Sequence, residues 1–268
     1  IAVRPWLHDH SVGGRTVLPA VETMLILATH CSAGHPHIDV RIMEDVRFGK
    51  FLEIPQTASD IAALVECIAC GDGRVRVKLL SHVQFKAMAR IKEHGEVAFL
   101  PSSADDQAPK TIDPRPPTNP TSEITVERLY REMVPFGPYY QTLQGILHLS
   151  DRQAWGELLA PELPFAGPAQ NLLGSPFPLD GALHAACALG KQHVDFIPFP
   201  VGFQRRRVIL PTQPGARYRA MVTMTSPPGD ELVFDLAIFN DTVQLYETVT
   251  GLRMSDVGSA LKNENNQR

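Results

Sequence analysis

The sequence predicts an α+β fold built as two similar halves, each a buried helix followed by antiparallel strands. Three observations predict it. Two helix-like runs, Pro19–Ala28 and Ser175–Leu189, are led by prolines and are apolar nearly all round. Strand-period runs follow each of them. Between the halves, residues 101–122 are rich in proline and poor in large apolar side chains. Such a stretch cannot bury a core and reads as a surface linker.

In the first run, Pro19 suits a first helical position because its missing N–H needs no partner there. Only Glu22 and Thr23 interrupt the apolar residues behind it, so the helix should be buried. Ile38, Val40, Ile42, Val46 and Phe48 keep mostly to even positions, the period of a strand. Ile61–Cys70 and the alternating Val75, Val77 and Leu79 flank a Gly71-Asp72-Gly73 turn and predict a hairpin. Ala87–Leu100 reads as a strand pair or one long strand. Thr125–Met133 has the pattern of a short amphipathic helix, and Trp155 and Leu158 belong to further strand-like runs. After the second helix come strands over Arg205–Leu210, Tyr218–Thr225, Leu232–Phe239 and Val243–Val249, with Asn240-Asp241 as a turn. The boundaries are 1–100 for the first half, 101–122 for the linker, 123–257 for the second half, and 258–268 for a flexible tail.

Composition removes some function classes. The 268 residues carry a net charge of −4 with histidine neutral, which disfavours a nucleic-acid role. No apolar run approaches the ~18 residues of a membrane span, and no basic-then-apolar leader opens the chain. Of the four cysteines, Cys31, Cys67, Cys70 and Cys187, only Cys67 and Cys70 are close, and no second pair follows. They read as core thiols of a reducing cytoplasm rather than zinc ligands. His8 and His10 would share a strand face, but no third ligand has matching spacing. Arg205 and Arg207 would also share a face, as a solvated surface or as a docking patch for an acidic partner.

Chemistry concentrates in four motifs. His10-Ser11-Val12-Gly13-Gly14-Arg15-Thr16-Val17-Leu18-Pro19 has the form H-x-x-x-G-x-x-x-x-P, preceded by Trp6-Leu7-x-Asp9. Alone it is equally a strand-end histidine beside a glycine turn. Asp180 alone is most simply a helix cap. The other motifs are Phe136-Gly137-Pro138-Tyr139-Tyr140-Gln141, Asp180-Gly181-Ala182-Leu183-His184 and Ile197-Pro198-Phe199-Pro200-Val201. In this order they resemble the signatures of dehydratase domains of modular polyketide synthases and polyunsaturated-fatty-acid synthases. The resemblance spans Trp6 to about Val201, most of the chain.

That resemblance implies a double hot-dog, two antiparallel sheets each wrapped around a long buried helix. It implies a (3R)-3-hydroxyacyl thioester carried on the phosphopantetheine of an acyl carrier protein, with no further cofactor. It places neutral His10 as base for the α-proton and Asp180, kept protonated by burial, as acid for the β-hydroxyl. His184, one helical turn on, would hold Asp180. Gly14, Pro19, Ala20, Phe136, Gly137 and Pro138 are its substrate-binding positions, with the Ala20 N–H as donor to the thioester oxygen. Neighbouring synthase domains are implied partners, a homodimer is compatible, and the location is cytoplasmic. The family pattern begins further upstream, so this chain is expected to lack a first strand or to be a piece of a larger synthase. A double hot-dog isomerase, a product-template cyclisation domain and a non-catalytic acyl-binding or scaffolding domain are the alternatives. Leu18 stands where product-template domains have cysteine, which counts against that one.

Phe136 stands where the family has tyrosine. One recovered hydrogen bond is worth about 0.5–1.5 kcal/mol. Phe136→Tyr should therefore raise turnover of short 3-hydroxyacyl thioesters by roughly two- to tenfold, or leave it unchanged. A large loss in steady-state assays would mean that Phe136 serves to pack the acyl chain.

Overall fold

Eleven strands form one antiparallel sheet, and two helices of 15 residues each pack against it. The computed structural model describes residues 1–85, 88–102, 120–163, 168–227, 229 and 231–257. A 3-10 turn, Pro5–Asp9, leads into the small hairpin β1 (Ser11–Val12) and β2 (Arg15–Thr16), then α1 (Ala20–Gly34). Next come β3 (Ile38–Phe48), β4 (Leu64–Ala69), β5 (Val75–Phe85) and β6 (Met88–Pro101). The second half begins with β7 (Ser122–Thr125), α2 (Val126–Glu132), β8 (Leu143–Leu149) and β9 (Gln153–Leu159). It continues with α3 (Pro168–Leu173), α4 (Phe177–Lys191), β10 (Phe199–Val208), β11 (Arg217–Met224), β12 (Glu231–Phe239) and β13 (Leu245–Ser255). Most of the proline-rich linker and the whole tail, residues 103–119 and 258–268, lie outside the described residues.

The sheet order is β4-β5-β6-β3-β10-β13-β12-β11-β9-β8-β7. The two sheets of the double hot-dog thus meet edge to edge, β3 against β10. Their register pairs Phe203 with Val46, Arg205 with Glu44 and Arg206 with Met43. The middle arginine of the triplet turns inward. Arg206 is buried and pairs with buried Glu247 of β13 at 2.6 Å, below Met24 of α1. Arg205 faces outward and pairs with Glu44 at 3.3 Å.

The two helices differ in how they are enclosed. In α4 every residue from Phe177 to Gly190 is buried. Its Ala182, Ala185, Ala186, Ala188 and Gly190 are small and let neighbouring elements pack closely, while Asp180, Leu183, His184 and Cys187 face a cavity. Helix α1 keeps one side open, with Ile26 and Thr29 half-buried and His30 exposed. Pro19 is its N-cap in an extended conformation, ψ 149°, rather than its first helical residue. Thr125 caps α2 by accepting the Arg128 N–H.

Sequence patterns do not anticipate the short strands β1 and β2, the 3-10 turns Pro5–Asp9 and Pro138–Tyr140, or β7, β8 and α3. Strand β8 carries a left-handed Gly145 (φ 63°) and a register break against β9, which scrambles its alternation. Cys67, expected in the core, is exposed, because β4 is an edge strand with few neighbours on either face. Cys31 and Cys187 are buried.

Gly181 sets how closely α4 meets β9. A Cβ there would lie 2.7 Å from Leu158 Cδ2 and collide with the Thr142 hydroxyl. Overpacking of this kind costs about 1–3 kcal/mol. Gly181→Ala should lower the unfolding free energy by that amount, seen in urea as a lower midpoint with an unchanged slope; an unchanged midpoint would mean that the helix shifts freely.

Candidate active site

The His10 segment is held by its own hairpin. Gly13 (φ 59°) and Gly14 (φ 75°) form the left-handed turn that a two-residue loop between β1 and β2 requires. The turn folds Val17 back onto His10. The Val17 N–H donates to the His10 carbonyl at 3.0 Å, and His10 Nδ1 lies 3.0 Å from the Val17 carbonyl. That contact assigns the proton to Nδ1 and leaves Nε2 as a free acceptor. The imidazole packs against Phe136 (centroids 4.3 Å) and Tyr140 (5.2 Å). Burial holds His10 below the ordinary 6.5, although a negative charge on Asp180 would pull the other way, so the ring is neutral at pH 7.

Asp180 does not cap α4; its own N–H makes the first helical bond, to the Pro176 carbonyl at 3.2 Å. One turn on, His184 Nε2 lies 3.0 Å from Asp180 Oδ2. The contact has the distance of a hydrogen bond but not its alignment, and neither atom has another partner. The other side of His184 is fixed by Tyr130, whose hydroxyl accepts the Leu143 N–H at 3.0 Å and lies 3.3 Å from His184 Nδ1. Burial pushes the Tyr130 hydroxyl well above its ordinary value, so it keeps its proton and can donate it to Nδ1. The His184 proton then sits on Nε2, toward Asp180. Sequence patterns carried no signal for this part of Tyr130.

His10, Ala20, Phe136, Asp180 and His184 line one cavity of about 560 Å³. Leu18, Phe51, Val134, Leu183 and Phe199 give it apolar walls, and exposed Lys50 and Ile91 line its open end. The first N–H groups of α1 precede its first helical bond, from Thr23 N–H to the Pro19 carbonyl at 3.0 Å. Gly14, Pro19, Gly137 and Pro138 do not line the cavity. Gly14 makes the turn, Pro19 packs inward, and Gly137-Pro138 form a backbone support behind Phe136. His94 and the Pro198–Val201 stretch line it as well, although neither was among the expected site residues. His8 sits in the 3-10 turn, so it shares no strand face with His10. Among the described residues no cluster of three or more His, Cys, Asp or Glu side chains is placed to hold a metal.

A sequence profile of the polyketide synthase dehydratase N-terminal domain matches residues 104–264. The chain belongs to the polyketide synthase dehydratase family. The matched span includes the Phe136 and Asp180 motifs. Solved dehydratase domains share the fold over nearly the whole chain. That of a mycocerosic acid synthase-like polyketide synthase is 15% identical, covering 94% of this chain and 86% of that one, with a TM-score of 0.72. The dehydratase domain of RzxB from Pseudomonas fluorescens is 16% identical, covering 94% and 90%, with a TM-score of 0.70. The bifunctional dehydratase-cyclase domain in ambruticin biosynthesis is 20% identical, covering 93% and 86%, with a TM-score of 0.67. No curated protein matches the chain.

Beside the dehydratase motif, Glu22 accepts the Trp6 indole N–H at 3.1 Å, and burial pushes its carboxyl from 4.5 up to about 7. A folded-state value above the unfolded one means that the ionisation penalty grows as pH rises from 4.5 to about 7. Glu22→Gln keeps the acceptor and removes that penalty. It should raise the thermal midpoint at pH 8 and leave it unchanged at pH 4; a lower midpoint at pH 8 would show that the ionised carboxylate is the stabilising form.

Proposed function

We propose that this domain dehydrates a 3-hydroxyacyl thioester to the 2-enoyl thioester and water. One observation supports the reading above all. A neutral His10 with a free Nε2 and an Asp180 backed by His184 at 3.0 Å line the same apolar cavity. His10 Nε2 takes the α-proton. The electron pair moves into the Cα–Cβ bond as the β-hydroxyl leaves. Asp180 supplies the proton that turns the leaving hydroxide into water. An N–H at the start of α1, that of Ala20, stabilises the negative charge that develops on the thioester oxygen. The Tyr130–His184 pair keeps Asp180 aimed into the cavity.

The reaction needs no metal or organic cofactor beyond the carrier's pantetheine. The open end lined by Lys50 admits the pantetheine arm of an acyl carrier protein, and neighbouring synthase domains deliver and receive the chain. Phe136 offers no hydroxyl to the β-oxygen, so that contact falls to the other polar groups of the cavity, Asp180 first among them.

Incubation with a 3-hydroxyacyl carrier protein, or its pantetheine analogue, followed by mass spectrometry should detect loss of one water. Asp180→Asn and His10→Ala should each slow this by at least roughly 10²-fold with the fold retained. The double variant should be little slower than either, because the two groups act in one step. Burial holds His10 below 6.5, so wild-type activity should survive the drop to pH 6.5 and fall only at lower pH, where His10 gains a proton. Exchange of the α-proton without loss of water would indicate an isomerase. Water loss near the wild-type rate in Asp180→Asn would remove Asp180 as the acid.

A further inference from the structure

The Asp9 carboxylate and the Gly137-Pro138 turn belong to two motifs that the dehydration chemistry leaves unused. The fold brings them together across 130 residues of sequence. Asp9 directly precedes His10. Its backbone carbonyl accepts the Gly137 N–H at 2.7 Å, and its Oδ2 accepts the Tyr139 N–H at 2.9 Å. The contact is too close for any side chain at Gly137. A Cβ there would lie 2.7 Å from the Asp9 Cβ and collide with the carboxyl group. The gripped segment is braced from within. Gln141 Nε2 donates to the Phe136 carbonyl at 2.7 Å, and the Tyr140 N–H donates to the Gly137 carbonyl at 3.0 Å. On the outer side the Trp6 ring meets Tyr139, with centroids 6.2 Å apart.

The geometry consequently couples two rings to one carboxylate. Phe136 and Tyr140 flank the clamp on the second-half side, and both pack on the His10 imidazole. Phe136 also meets His184, with centroids 5.2 Å apart. We infer that Asp9 is a positioning residue: by gripping Gly137 and Tyr139 it registers the base of the first half against the acid-bearing helix of the second. This rests on the dehydratase reading for its kinetic consequence, while the register itself is a property of the fold.

The test uses the full chain with three substitutions. Asp9→Ala removes the side-chain acceptor. Gly137→Ala drives a wedge between the two segments. Asp9→Asn removes the charge but keeps a carbonyl oxygen for the Tyr139 N–H. A small misplacement of reacting groups costs up to about 10²-fold. Asp9→Ala and Gly137→Ala should therefore lower kcat by roughly ten- to a hundredfold with KM little changed, and Asp9→Asn should stay close to wild type.

The second readout is the His10 ring titration by NMR, which does not depend on turnover. Burial holds His10 below 6.5. Opening the clamp lets water reach the ring, so its titration should move up toward 6.5 in Asp9→Ala and Gly137→Ala and stay put in Asp9→Asn. Loss of a nearby anion alone would move it down, so the sign separates position from charge. The other ionisable groups around the ring, Asp180 and His184 on α4, Glu22 on α1, and Tyr140, are unaltered in all three variants.

Wild-type kcat and titration in Asp9→Ala would overturn the inference. So would an Asp9→Asn variant as impaired as Asp9→Ala. If Asp9→Ala does not fold, Gly137→Ala decides the question through the same two readouts, and wild-type values there would overturn the inference equally. A wild-type protein that never dehydrates its substrate would sink the dehydratase reading instead, and the titration would still decide whether Asp9 sets the surroundings of His10.

Discussion

The pairing of β3 with β10 is the constraint on which the rest depends. The base candidate sits in one half and the acid candidate in the other, so neither half holds a complete site. Two half-sheets sharing a hydrogen-bonded seam are fixed to within one register step. A slip of one residue would turn every side chain of β10 to the other face. Arg206 and Glu247, paired and buried on β10 and β13, hold β10 against its neighbour within the second half. The same guanidinium reaches across the seam to Met24 and Met43 of the first half, at 3.7 and 3.9 Å. Turning Arg206 out would forfeit those contacts, and breaking a buried ion pair costs about 3–5 kcal/mol.

Burial acts on the groups around α1 in opposite senses. It lowers the histidine and raises the carboxyl, because in each case it disfavours the charged form. His10 and Glu22 are thereby both drawn toward neutrality near pH 7. The start of α1, with its unpaired N–H groups, faces a cavity in which a new negative charge would have few competitors.

The long helices and the regular strands were legible in the sequence because each obeys a single period over many residues. Residues 75–79 alternate cleanly, and the Gly71–Gly73 turn lies where the hairpin turns. Strand β10 begins at Phe199, six residues before the expected start, because Pro198, Pro200 and a bulge at Gly202 mask its alternation. Strand β13 runs past Val249 to Ser255 through a left-handed Gly251 (φ 64°) for the same reason. At the site, His10 and Asp180 were legible as motifs, and His184 followed from helical spacing. The contacts of Tyr130 and the grip of Asp9 on Tyr139 were not. They join residues 54 and 130 positions apart, and no local pattern encodes a partner at that distance.

The complete enclosure of α4 has a consequence for how this domain can diverge. From Phe177 to Gly190 every residue is buried, and of these Asp180, Leu183, His184 and Cys187 face the cavity, so a change at any of the other positions is tested by fit before it is tested by chemistry. The walls contributed by residues 48–51, 91–94 and 198–201 lie in half-buried ends of strands and in connecting segments for the most part, and are under no such double constraint. Substitutions that alter the shape of the acyl chain accepted can accumulate along those rims while the acid stays fixed on a helix too tightly held to drift.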